Sequence, residues 1–371
     1  MHGHTTMGFV QMWLDVAAII ISNMAAFVRA GQTSLNIGSK YLSLSKAKRQ
    51  YRADRMLMPH LPKAPTLAAI KTDRMQKTIT LLFLTMFSTL VFGQTNYEKF
   101  KKLFKSNDTT KIKSLFAEWE KTNSNDPELY TSAINFYFSN SKKEIISLDR
   151  KQKSKESFQF TDSTGKVAGY INSNLGYDPD KLSKAVKYAN TGIDKFPDRL
   201  DIRFGKCYLL QQIGDYDNFT KEIIKTVEYS QVNKNNWLWT ENKKQEDGKG
   251  FMLGTIQTYL KELYDTEDDN LLPFMIQIGE ATLKYYNDNV EILSTTSVAL
   301  MLTKNYDKAI DYLKQAEKIN PKDYIVLNNI AQGYKLKGDK ANAIKYYELT
   351  AKYGDEQAKQ QAKENIKELK Q

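Results

Sequence analysis

From Thr95 to Gln371 most apolar positions fall three or four residues apart, the spacing that gathers side chains on one face of an α-helix. Thr95 to Lys105 places Tyr97, Phe100 and Phe104 on such a face, and Thr109 to Lys121 places Ile112, Phe116 and Trp119. Asp126 followed by Pro127 marks a third helix start, with Leu129, Ala133 and Phe136 along its face. An Asp side chain there accepts the first free amide hydrogens, and Pro lacks a hydrogen that would go unpaired anyway. Leu182, Ala185, Ala189 and Ile193 define the next helix. Leu200 to Ile213, with Phe204, Cys207 and Leu210 inward, pairs with a segment carrying Phe219, Ile223 and Val227. Phe251 to Tyr264 and Leu271 to Tyr286 form a further pair.

Two stretches break the helical period. In 139–180, Phe158 and Phe160 alternate with polar residues before Asp162-Ser163-Thr164-Gly165, and Val167, Gly169 and Ile171 alternate after it. That pattern predicts a short β-hairpin inserted between helices, with a disordered loop as the alternative, since two strands alone are marginally stable. In 231–250 a polar, Lys- and Asn-rich run holds Trp237-Leu238-Trp239. Two Trp at a spacing of two share no helix face, so this element is extended or looped. Trp237 and Trp239 read either as an aromatic platform for a peptide or sugar, or as indoles tucked into a seam between neighbouring hairpins.

The period is clearest over 290–353, where one pattern occurs twice at an offset of 34 residues. Leu293 matches Leu327, Ser297 matches Ala331, Leu300 matches Tyr334, Ala309 matches Ala343, Ile310 matches Ile344 and Tyr312 matches Tyr346, with Pro321 between the copies. Small residues recur where two helices must approach closely. Self-similarity at this length marks stacked helical hairpins. On these residues the chain resembles the tetratricopeptide repeat family, strongly over 290–353 and more weakly before. The resemblance implies an all-α fold, a tetratricopeptide-like α-solenoid carrying the β-hairpin insert, with repeats at 290–323 and 324–353. The last helix, 356–371, has the polar outer face of a terminal cap. It also implies a concave groove lined by the first helix of each pair. The positions facing that groove are Ser294, Thr295, Val298, Met301 and Leu302 in one copy, and Asn328, Asn329, Gln332, Lys335 and Leu336 in the next. Asn329 is then expected to hydrogen-bond the backbone of an extended peptide. Chaperone-binding members hold a C-terminal carboxylate in a basic, Asn-containing clamp, which Ser294 and Val298 do not reproduce.

Composition changes the picture at the N-terminus. Residues 1–74 hold all three His and five of the eight Arg but only five of the 46 Lys. This segment reads as translated upstream sequence, or else as a genuine extension in which the apolar 8–28 stretch would anchor the chain to a membrane. At Met75 a short charged start, an uncharged apolar run from Ile79 to Phe92, and small residues in Val91-Phe92-Gly93 match a secretory signal peptide, 75–93, cut before Gln94. The apolar run is shorter than the roughly 20 residues that a spanning helix needs. The expectation is therefore an exported soluble protein, periplasmic or secreted, with residues 94–371 as its helical repeat domain and no stable membrane insertion. Of the net charge of +11, residues 1–74 carry +7, so the basic balance does not argue for a nucleic-acid partner. Sparse Arg with abundant Lys and Asn looks like exported repeat proteins of the Bacteroidetes type.

Candidate chemistry is thin. Cys207 is the single cysteine, which excludes an intramolecular disulfide, and no His follows Met75. His triads, His metal sites and thiol–imidazole pairs are thus absent from 75–371, and no phosphate-binding Gly loop or dinucleotide fingerprint occurs. The acidic run Asp265 to Asn270 fails the calcium-loop pattern, which needs Gly at the sixth place and Glu at the twelfth, where Asn270 and Ile276 stand. No catalytic residue, cofactor or metal site is assigned. The leading expectation is a non-catalytic scaffold that binds a protein or peptide. An envelope protein gripping a glycan or peptide with the Trp237 loop, and a hydrolase using paired carboxylates, are the alternatives.

Overall fold

The computed structural model describes residues 94–153 and 157–371. The 1–74 extension, the 75–93 leader and the 8–28 stretch lie outside the described residues. Thirteen α-helices and two small sheets occur among the described residues. The helices are α1 Asn96–Lys105, α2 Thr109–Asn123, α3 Pro127–Ser141, α4 Pro179–Lys195, α5 Leu200–Gln212, α6 Tyr216–Val232, α7 Gly248–Asp265, α8 Leu272–Leu283, α9 Val290–Leu302, α10 Tyr306–Ile319, α11 Tyr324–Lys337, α12 Lys340–Tyr353 and α13 Glu356–Lys370. Most begin at a side-chain cap: Thr95, Asp108, Asp126, Asp178, Asp215, Asp247, Asn289, Asp323, Asp339 and Asp355 each accept a first-turn amide hydrogen. Gly338 closes α11 in the left-handed conformation, φ +89°, which a side chain would resist.

Consecutive helices pair as antiparallel hairpins, α1/α2 through α11/α12, with α13 covering the last. Small residues set the close approaches. Gly192 in α4 lies under Tyr130 of α3 and Ile202 of α5, Gly279 in α8 under Thr296 of α9, and Gly333 in α11 under Ile310 of α10. Ala309, Ala331 and Ala343 are fully buried with Ser297, the small positions of the 34-residue pattern. One continuous apolar core runs from Phe100 to Ala362. At its start Phe100, Phe116 and Phe136 pack ring to ring with centroids 5.6 Å apart.

The first interruption sits inside a hairpin, between α3 and α4. It is a three-stranded antiparallel sheet rather than a two-stranded hairpin, ordered β1–β3–β2, with β1 Lys142–Asp149, β2 Phe158–Thr161 and β3 Val167–Tyr177. The β2–β3 turn is held by Asp162, whose Oδ1 accepts from the Thr164 and Lys166 amides, and by Gly165 at φ +82°. The added strand β1 lies along the other side of β3, with Leu148 opposite Ile171. The base of the sheet is fixed to the solenoid: Tyr177 stacks on Phe138 at 5.8 Å and donates to the Gln212 carbonyl, and Lys143 meets Asp178 at 3.6 Å. The second interruption is extended, as its paired Trp require. Strands β4 Leu238–Trp239 and β5 Lys243–Lys244 flank a single 3₁₀ turn. No helix among the described residues is long and apolar enough to cross a membrane.

Candidate functional site

The first helices of the last three hairpins, α7, α9 and α11, lie side by side. Polar side chains meet along their contact. Gln257 of α7 donates from Nε2 to Thr295 Oγ1 of α9 at 2.7 Å, and Asn329 of α11 donates from Nδ2 to Ser294 Oγ of α9 at 3.2 Å. Met301 reaches the backbone of α11 at Gly333. Ser294, Thr295, Val298, Met301, Leu302, Asn328, Asn329 and Gln332 are all buried. Lys335 and Leu336 are half-buried, and the Lys335 ammonium bonds Asn365 Oδ1 at 3.1 Å and Glu368 Oε2 at 2.8 Å on the cap helix α13. The positions predicted to face the groove are therefore adjacent in space. They lie below the surface, engaged with neighbouring helices, because every face of α9 meets another helix.

Burial of so many amides and hydroxyls has a physical consequence. An unpaired buried polar group costs a few kcal/mol, roughly 1–3 by mutation, so such a row persists only where each group has a partner. In the low dielectric between helices each hydrogen bond is also stronger and more sensitive to geometry.

Trp237 and Trp239 do not form a platform. Trp237 is completely buried between α6 and α7, beside Tyr229 with centroids 5.9 Å apart and against Gly248, where a Cβ would come within 3.2 Å of its Cδ1. Trp239 is half-buried and meets Phe251 edge-on at 5.0 Å. Trp237 stands just before β4 and Trp239 inside it, and each fills a different crevice of the seam, one beside Tyr229 and the other beside Phe251.

The sequence pattern missed a buried charge cluster at the starts of α3 and α5. Arg199, 1% exposed, binds Asp201 through two bonds, Nε to Oδ1 at 2.9 Å and Nη2 to Oδ2 at 2.7 Å. Its Nη1 reaches Glu128 Oε1 at 2.8 Å and Asn242 Oδ1 at 3.2 Å. The Glu241 amide also donates to Glu128 Oε1, and Thr240 Oγ1 to Asp201 Oδ2. Burial pushes the Glu128 carboxyl above its ordinary range, outweighing the lowering by the Arg199 guanidinium beside it. Glu128 and Asp201 are carboxylates brought close together, yet both are buried and clamped, so the pair offers no face to a substrate. The readable signal was scarcity: only three Arg follow Met75, and an Arg stands where other helices of this chain carry an Asp, Asn or Thr cap.

Cys207 is wholly enclosed, and burial holds its thiol well above the ordinary value. In the acidic run, Asp268 caps a 3₁₀ turn by accepting from the Asn270 amide. No group of three or more His, Cys, Asp or Glu able to hold a metal ion occurs among the described residues.

The family model described as tetratricopeptide repeat matches residues 296–323, which run from the middle of α9 through α10 to the start of α11. Among solved structures, the C-terminal part of a TPR repeat-containing protein from Cytophaga hutchinsonii is 16% identical, with a TM-score of 0.35 over 69% of this chain and 78% of that one. YrrB, titled a TPR protein with an unusual peptide-binding site, is 13% identical, with a TM-score of 0.34 over 67% of this chain and 97% of that one. A tetratricopeptide repeat protein from Parabacteroides merdae is 10% identical, with a TM-score of 0.29 over 74% and 91%. No curated protein matches the sequence. Paired helices repeating at 34 residues and small residues buried at the crossings surround the stretch, 296–323, that matches the tetratricopeptide repeat model.

Proposed function

We propose that this protein is an exported, non-catalytic scaffold that holds an extended segment of a partner protein along α7, α9 and α11. The observation that supports the reading is the side-by-side stack of the first helices α7, α9 and α11, one of which lies partly in the stretch matched as a tetratricopeptide repeat. The buried Gln257–Thr295 and Ser294–Asn329 hydrogen bonds hold these helices in register, and the half-buried Lys335 and Leu336 stand at the accessible end of the row. Neither Ser294 nor Val298 can bind a terminal carboxylate as a cation would, so the partner segment is internal rather than C-terminal.

The test is binding of the full chain to a tiled peptide array, with free and amidated C-termini. Binding is expected to be indifferent to amidation. Lys335→Ala, at the half-buried end of the row, is expected to weaken capture about tenfold, the equivalent of one well-placed hydrogen bond. Equal capture by the variant, at unchanged thermal stability, would remove the helix row from the reading.

Export rests on the 75–93 leader, whose apolar run and small residues fit cleavage before Gln94. Mass spectrometry of the protein recovered from its own cells is expected to find Gln94 at the N-terminus. Peptides from 1–74 in the mature protein would place it elsewhere and make the 8–28 stretch an anchor.

A further inference from the structure

The sheet between α3 and α4 has two unlike faces, because successive residues of a strand point to opposite sides and directly opposed residues point the same way. One face carries Ile146, Leu148, Phe158, Phe160, Ile171 and Leu175, with Leu148, Ile171 and Phe158 in a row across the three strands. Leu148 and Phe158 are 73% and 75% exposed, so the row stands open to solvent. Six such side chains offer on the order of 600 Å², the upper end of what a soluble monomer leaves in one patch. Lys142 and Glu144 share this face but stand at its base beside the solenoid. Lys142 opposes Tyr177, with its ammonium 5.2 Å from the centre of the Phe138 ring, and Glu144 Oε1 accepts from Ser173 Oγ at 2.7 Å. From Ile146 to the outer end of the strands the face carries no charge.

The charge lies on the other side. The strand order β1–β3–β2 forces the chain between β1 and β2 to cross β3. It crosses over Asn172, which points away from Ile171, is buried, accepts from the Lys153 amide and Ser157 Oγ, and donates to the Lys151 carbonyl. That crossing brings Arg150, Lys151 and Lys153, and the β2–β3 turn adds Lys166. Residues 142–177 hold seven Lys and Arg against four Asp and Glu. Lys153 meets Asp149 and Lys143 meets Asp178, whereas Arg150, Lys151 and Lys166 are exposed and meet no carboxylate among the described residues. Asp162, in the same turn as Lys166, is engaged by the Thr164 and Lys166 amides.

We propose that this insert docks on an anionic lipid surface, its apolar face entering the boundary between headgroups and acyl chains while Arg150, Lys151 and Lys166 reach the lipid phosphates. An interfacial helix divides its residues in the same way, basic on one side and apolar on the other, and buries the apolar side ~5–10 Å deep. A sheet layer is ~10 Å thick, so cations on its far side stand at headgroup depth when the near side is buried. Charge and apolarity together select this occupant. An insert with a positive excess repels a second insert and is drawn to an anionic surface. A nucleic acid would pair with the cations and leave Leu148, Phe158 and Leu175 in water. The contact is peripheral and needs no spanning helix. Tyr177 and Lys143 fix the base of the sheet, and the insert belongs to the α3/α4 hairpin, so docking leaves α7, α9 and α11 free. Each unpaired cation near an anionic surface is expected to tighten binding about fivefold, an effect that salt screens.

The test places a nitrobenzoxadiazole dye on Leu148→Cys in the full chain; Cys207 is buried, so the introduced thiol is the accessible one. Titrated with phosphatidylcholine vesicles containing phosphatidylglycerol, the dye is expected to brighten and shift to the blue. Phosphatidylcholine alone should require about a hundredfold more lipid, the combined effect of three cations. Arg150→Gln with Lys151→Gln, both exposed, should raise the lipid needed about 25-fold. The same dye on Ile319→Cys, exposed on α10, should not respond. Lipid binding by the 8–28 stretch or the 75–93 leader does not by itself brighten a dye on the insert, and the charge comparison is made within one chain. A Leu148→Cys dye that stays dim with anionic vesicles overturns the proposal. So does brightening that phosphatidylglycerol does not favour or that the double variant leaves unchanged. Brightening without vesicles, on raising the protein concentration or adding polyuridylate, also overturns it and assigns the insert to a second copy or to nucleic acid.

Discussion

Arg199→Ala is expected to cost about 3–5 kcal/mol of unfolding free energy, measured by urea denaturation with circular dichroism. The guanidinium is nearly sealed from water and neutralises Asp201 and Glu128 together. Its loss leaves two buried carboxylates facing each other without a cation. The pH dependence gives an independent check of sign. Burial already raises the Glu128 carboxyl above its ordinary value of 4.5, and the variant also loses the lowering by Arg199. A carboxyl with a raised folded-state value is favoured when protonated. The deficit of the variant should therefore be largest at neutral pH and shrink as pH falls toward the ordinary carboxylate range. A deficit that stays constant with pH would mean that packing, not charge, explains the loss.

Trp237→Ala is expected to be comparably destabilising, about 3–5 kcal/mol, because it empties a space filled by a fully buried indole between α6 and α7. Trp237→Phe keeps a ring against Tyr229 and should lose markedly less. Trp239→Ala, at a half-buried edge beside Phe251, should lie between the wild type and Trp237→Ala. Unchanged stability in Trp237→Ala would return the indole to a role in ligand contact.

How much of this was legible depends on the range over which each feature is determined. Helix starts were readable because a cap is local: Asp126-Pro127 and Asp178-Pro179 each write their signal within two residues. The 34-residue echo of Leu293 in Leu327 exposed the stacking because every repeat solves the same packing problem. Strand β1 was hidden because Ile145 and Ile146 stand side by side and three charged residues precede them, so no alternation is visible. Its place is set by pairing with β3, nearly 30 residues on. The groove positions were found by repeat spacing, but spacing says nothing of depth. Ser294 and Asn329 are buried because α7 and α11 flank α9, a fact of three helices rather than one. The Arg199 cluster was out of reach for the same reason: Glu128 and Asn242 lie 71 and 43 residues away on either side.

That cluster also changes how the chain shares load. A solenoid is close to one-dimensional, each hairpin leaning on its neighbours, so its units can come apart a few at a time. Arg199 breaks this rule by pairing with carboxylates at the starts of α3 and α5 and hydrogen-bonding Asn242 in the 3₁₀ turn ahead of α7. Neither α3 nor α5 can open without stranding a charge in the other. The hairpins α3/α4 and α5/α6 are therefore expected to open together, while α11, α12 and α13, outside the cluster, are expected to separate in smaller steps.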